Sequence, residues 1–193
     1  MIKLRTYTVL TYSVIFGLIA IGLTRVLFPT PFGVPNLGST AVVLAAVLCP
    51  WPVGPIVAII KGIAVSAWTG VWYIEFPGGL GDAIMAVFAH RLCKQMKAEY
   101  AVIGGQLSRF IFTSGSVALF VATQLTLGMP TVQLAALQNL GRNAGFLSYF
   151  AVAFTAITYP TVLLSVTANL VVSVVALLIL QKRFPTVLKR LSS

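Results

Sequence analysis

The chain has 193 residues, 59% of them hydrophobic and only 8% charged, with a formal net charge of +10; its pI is about 10.2 and its mean hydropathy +0.99. A soluble domain carries roughly 25% charged residues, so this composition excludes one and points to an integral membrane protein. The cations gather at the ends of apolar runs, which fits a lipid bilayer with anionic head groups as the partner and not nucleic acid.

In chain order, the first apolar run covers about Tyr7–Phe28, behind Lys3 and Arg5. A basic start before an apolar run also describes a signal peptide, but this run is about 20 residues long. No small-residue cleavage site follows it, so it reads as a retained transmembrane helix. FPTPFGVP, with Pro29, Pro31 and Pro35, stops it. The second run, about Asn36–Cys49, is short and ends in the CPWP turn at 49–52, because proline punctuates helices. The third covers about Val53–Gly70, followed by TGVWYIEFPGG as a connection, and the fourth about Leu80–Cys93. After the charged turn KQMKAE at 94–99, the fifth covers about Ala101–Leu127 and ends at GMP, 128–130. A mixed segment occupies 131–160, and the sixth run is about Thr161–Gln181.

The expected fold is therefore an all-α integral membrane protein: one domain over 1–193, a six-helix transmembrane bundle with both termini cytoplasmic. Lys3, Arg5, Arg91, Lys94, Lys97, Lys182, Arg183, Lys189 and Arg190 fall on one side of that topology, nine of thirteen cations. Such asymmetry marks the cytoplasmic side. Arg109 is assigned near the same face by snorkelling. The second and third runs could instead form a re-entrant hairpin, which leaves the termini where they are. Segment 131–160 reads as a long outer connection with a partly helical piece on or dipping into the membrane. A seventh span from Ala144 to Thr158 would put the basic C-terminus outside, against the charge rule.

Within this frame the polar residues stand out. Lys61 sits halfway along the third span and Asp82 in the first turn of the fourth. A charge at membrane depth is costly and survives by facing a partner or a wet cavity. The two could pair structurally, or each could face a ligand. Trp68, Trp72, Tyr73 and Glu75 lie at the outer end of the third span and in its loop. Trp72 and Tyr73 also suit an interfacial aromatic belt. Arg25, Asn36, Gln124 and Asn169 are assigned to the same depth, with Asn139, Arg142 and Asn143 in the outer connection. Aromatic walls with a few convergent polar groups make a small-molecule site. Polarity confined to the outer half suggests a cup and not a pore.

Small residues recur at four-residue spacing: Ser13 and Gly17; Ala58, Gly62 and Ser66; Ser114, Ala118 and Ala122. Such stripes let helices approach closely, within the chain or, for Ser13 and Gly17, against another membrane subunit. Cys49 and Cys93 form no CxxC or Cys/His metal spacing. Gly54 and Lys61 do not make a Walker A loop, and there is no GxSxG. His90, the only histidine, sits beside Arg91 at a helix end and reads as an interface residue. Three acids and one histidine are a poor set for hydrolysis, so neither an enzyme nor a cofactor or metal site is expected.

The chain resembles the substrate-binding S component of an energy-coupling factor (ECF) transporter. FPTPFGVPNLGSTAVVLAAVLCPWPVGPIVAIIKG resembles that family's first loop, short second helix and the start of its third; FPGGLGDAIMAVFAHRL resembles its fourth helix, and YPTVLLSVTANLVVSVVALLIL its last. The resemblance implies high-affinity capture of a vitamin or related micronutrient in an outer-half pocket closed by the first and third loops. It implies docking on a transmembrane T subunit that carries two ABC ATPases, with release by toppling of the S component. The family's first-helix AxxxA docking motif corresponds here to Ser13 and Gly17. Two other classes stay open, a self-sufficient small transporter or channel and a membrane enzyme or assembly factor. Aromatic residues beside both charge signs suggest a zwitterionic aromatic ligand.

Overall fold

The computed structural model describes residues 2–26, 36–128, 144–157 and 161–185. Among them are seven helices and no strand: α1 (Ile2–Leu23), α2 (Gly38–Leu48), α3 (Val53–Thr69), α4 (Trp72–Cys93), α5 (Ala98–Thr126), α6 (Phe146–Ile157) and α7 (Leu163–Arg183). The segments Thr6–Leu23 and Leu163–Arg183 are long and apolar enough to cross a membrane.

The bundle is organised around α2. All eleven of its residues are buried, and α1, α3, α4, α5 and α7 all contact it. Its sequence, GSTAVVLAAVL, is apolar on every side after the first turn, as a helix enclosed by others must be. At about 1.5 Å per residue it is only about 16 Å long. The turn at 49–52 folds α3 back on it so closely that a Cβ on Gly54 would lie 2.7 Å from Ala46 Cα.

The buried N-terminus of α2 carries backbone N–H groups with no partner in their own helix. Asn169 of α7 supplies an acceptor: its Oδ1 takes the Thr40 N–H at 2.8 Å and the Thr40 hydroxyl at 2.9 Å. Asn36 Oδ1 accepts the Gly38 N–H at 3.1 Å. A polar side chain deep on α7 is thus the cap of a helix 129 residues earlier in the chain.

The fourth helix begins eight residues before the expected Leu80. TGVWYIEFPGG reads locally as a connection, yet α4 runs through Pro77, and only Gly70 and Val71 separate it from α3. Gly70 closes α3 with φ +71°, the left-handed conformation that favours glycine. Packing on both flanks outweighs the lost Pro77 hydrogen bond. On one side, a Cβ on Gly79 would lie 2.8 Å from Gly62 Cα of α3; on the other, a Cβ on Gly81 would lie 2.5 Å from Thr113 Cα of α5. Gly79 of the expected connection and Gly81 of the expected helix together form the contact surface of one helix held between two others.

The remaining small-residue stripes are also used internally. Ala118 and Ala122 of α5 are buried in a cluster with Tyr149 and Ala153 of α6. Ser13 and Gly17, expected to dock another subunit, are buried. A Cβ on Gly17 would meet Ile60 of α3 at 3.1 Å, so that face of α1 is already filled. The outward face of α1, with Leu10, Val14 and Leu18, is the exposed one. Helix α6 lies within the expected outer connection; at 12 residues it is about 18 Å long, short of the roughly 30 Å hydrocarbon core.

Arg91, Lys94, Lys97, Lys182 and Arg183 are all exposed. A hydrogen bond from Gln181 to Glu99 ties the end of α7 to the start of α5, so these five cations share one end of the bundle. That bond, with the Glu99 backbone N–H, holds the Glu99 carboxyl below its usual pKa.

The glycine contacts set a test. Gly81→Ala is expected to destabilise by about 1–3 kcal/mol, the usual cost of overpacking, because its Cβ would meet backbone. Gly115→Ala, with nothing within 4 Å of the added Cβ, is expected to be neutral or slightly stabilising. Thermal unfolding of both variants in mild detergent checks the contrast.

Candidate functional site

Asp82 of α4 is the hub of the interior, at 1% exposure. Its Oδ2 accepts from Lys61 Nζ of α3 at 2.5 Å and from Ser39 Oγ of α2 at 2.6 Å. Its Oδ1 accepts from Thr113 Oγ1 at 2.8 Å and Arg109 Nε at 3.0 Å, both of α5. Four donors fill the four lone-pair sites of a carboxylate. Lys61 also reaches Ser39 Oγ at 3.0 Å, and Arg109 reaches Ser165 Oγ of α7 at 3.2 Å. Lys61 and Arg109 are 6% and 5% exposed. The cluster therefore joins five helices and keeps one net positive charge.

Arg109 corrects the sequence reading. It was expected near the cytoplasmic face, but it lies twelve positions past Lys97, about 18 Å along the helix axis, too deep for its side chain to reach that end. The usable signal was that distance, which exceeds the reach of a snorkelling arginine. Ser39, Thr113 and Ser165 were also missed, since nothing in the sequence separates a hydroxyl on a carboxylate from one bonded to its own helix.

A cavity of about 120 Å³ opens beside the cluster, lined by Lys61, Asp82, Arg109, Asn36 and Glu75 among others. Glu75 is half-buried and has no salt bridge among the described residues, where the ion pairs are Lys61–Asp82 and Arg109–Asp82. Ile74, Val117 and Val162 supply apolar wall.

Below the cluster one more polar group follows. Gln106 donates to Ser39 O at 3.3 Å and Ser173 Oγ at 3.1 Å. One turn further, Met85, Ala89, Val43 and Val102 are all fully buried, and a Cβ on Gly105 would touch Ala89 at 2.8 Å and Val43 at 3.0 Å. This apolar layer lies beyond the cluster and does not itself line the cavity.

The structure thus brings Asn36, Lys61, Glu75 and Asp82 to one cavity, with Asn169 behind it bonded to the Asn36 carbonyl at 2.6 Å. The expected aromatic wall is elsewhere. Trp68, 37% exposed, lies under the Arg25 guanidinium, 3.2 Å from the ring centroid, a cation–π contact. Trp72, 45% exposed, packs edge-on against Tyr73 and Phe120. Tyr73 also packs against the α5–α6 cluster. Gln124 is buried on α5 away from the cavity lining. Asn139, Arg142 and Asn143 lie outside the described residues. His90 contacts the Ala46 carbonyl at 2.9 Å through Nδ1 and packs near Trp51. Among the described residues no three of His, Cys, Asp and Glu gather as a metal site would require.

Comparison of the chain with protein families, with curated proteins and with solved structures finds no match.

Removing the hub acid strands two buried cations. Asp82→Asn is expected to destabilise by about 3–5 kcal/mol, against about 0.5–1.5 kcal/mol for Thr113→Val, which removes one hydrogen bond. The double variant Asp82→Asn/Lys61→Met is expected to be more stable than Asp82→Asn alone. Melting curves of the three proteins in one detergent check the order.

Proposed function

We propose that the chain is a multi-pass membrane protein with cytoplasmic termini that captures a small solute in the cavity beside Asp82. In this reading it serves as the substrate-binding S component of an ECF-type uptake system and delivers the solute to a transmembrane T subunit with two ABC ATPases. The membrane part of the reading is supported by an inverted distribution of polarity. The interior holds Lys61, Asp82, Arg109, Gln106 and Asn169, while large apolar side chains such as Leu10, Leu18, Ile63, Ile111, Leu119 and Val171 face outward. Only a lipid solvent makes that arrangement favourable, since water would reward the reverse. The five exposed cations at one end fit a cytoplasmic face.

The observation that carries the binding role is a charged cavity with an apolar layer beyond its charge cluster. A channel needs a polar path from end to end, and among the described residues none continues below Gln106 through the Met85 layer. A cup that opens one way suits a protein that captures its solute and relies on another subunit for passage. The ECF assignment rests on the sequence resemblance, and Ser13 and Gly17 no longer supply its docking face; the outward face of α1 is the surface left for a subunit or for lipid.

Native mass spectrometry of the protein purified in mild detergent tests the binding role, with a stoichiometric small molecule expected. The compound so identified then serves in proteoliposomes. Uptake is expected only when the T subunit, the ATPases and ATP are present. Uptake by the chain alone would support the solitary-transporter reading, and an empty protein that forms a defined homo-oligomer would point the same way.

A further inference from the structure

The cavity lining carries both signs of charge. Arg109 spends two of its five N–H donors, on Asp82 and Ser165, and Lys61 two of its three, on Asp82 and Ser39. Asp82 cancels one of these two positive charges and has no acceptor site left. One net positive charge and several N–H donors therefore remain for whatever enters. Glu75, seven residues before Asp82 on α4, adds a second carboxyl group to the lining, without a salt bridge among the described residues. The cavity is also small. At about 120 Å³ it is well under the roughly 300–1,000 Å³ of drug-sized ligand sites. No tryptophan or tyrosine lines it among the described residues.

We infer that the solute is a compact aliphatic zwitterion, with its cationic group on Glu75 and its anionic group on the free N–H groups of Arg109 and Lys61. This rests on the binding role proposed above and replaces the aromatic ligand expected from the tryptophans. Both charges are needed for complementarity. An anion alone would meet Glu75 with a like charge, and an amine alone would meet Lys61 and Arg109. Asp82 positions the two cations and does not touch the solute.

The test is isothermal titration of the full chain in mild detergent with three sets of probes: a panel of α-, β- and γ-amino acids of up to four carbons; propionate; and ethylamine. The wild type is expected to bind at least one amino acid more tightly than either single-charge probe. Glu75→Gln is expected to lower that affinity roughly tenfold to hundredfold, the loss of a charge-assisted hydrogen bond. It should leave the melting temperature unchanged and bring propionate binding up to or above the wild-type level; Glu75→Asp should retain part of the affinity. Tighter binding of propionate than of every amino acid by the wild type overturns the inference, as does a folded Glu75→Gln that binds the amino acid unchanged. Failure of the whole panel, with a co-purified compound that lacks one of the two charges, overturns the zwitterion and leaves the binding role standing. Failure of the whole panel with an empty protein in native mass spectrometry overturns both.

Discussion

A carboxylate buried to 1% exposure costs several kcal/mol in lost hydration unless its surroundings replace what water supplied. Asp82 obtains that replacement from Ser39 on α2, Lys61 on α3, and Arg109 and Thr113 on α5, and Arg109 extends the network to α7 through Ser165. The helices must therefore sit at particular heights relative to one another: sliding one by a turn, about 5.4 Å, would leave a buried charge without its partner. An apolar core of Ala and Val side chains fills space but discriminates weakly between registers. The network supplies the register.

Short bonds between three helices require backbones that approach closely, and the glycines of α4 permit it. Gly79 meets Gly62 on the α3 side, and Gly81 meets Thr113 on the α5 side. Asp82 follows directly in sequence, so its carboxylate lies between Lys61 and Arg109. Small residues at the contact surface and a charge network beside them form one device: the first sets the distance at which the second can form. The cavity lies next to this device, and its electrostatics follow from it, because two cations share one acid.

Much of this was legible in the sequence, for physical reasons that can be named. Lys61 and Asp82 stood out because each interrupts an apolar run, and a charge there needs a partner. Asn36 and Glu75 were drawn to the same region by their neighbours along the chain. Arg109 was not, because snorkelling assigns it to the cytoplasmic face, although it lies twelve positions beyond Lys97. TGVWYIEFPGG reads as a connection because local glycine and proline propensities point that way; only contact with α3 and α5 makes its glycines a packing face. The tryptophans misled in another way. Their size and polarity suit a ligand wall and a surface position equally, and Trp68 and Trp72 took the latter, at 37% and 45% exposure.

The central claim is a binding cup with one mouth, closed at the other end by the Met85 layer. Cysteine labelling with a membrane-impermeant maleimide tests it most directly, in a background where Cys49 and Cys93 are replaced by alanine. Gly78 lines the cavity, and a Cβ there has only an ordinary 3.8 Å contact with Val117, so Gly78→Cys should fold and report on the mouth. Met85→Cys reports on the apolar layer. Labelling of Gly78→Cys from one side of oriented vesicles, with Met85→Cys protected from both, is the expected result. Labelling of Met85→Cys from the opposite side would contradict the account and show a path through the bundle.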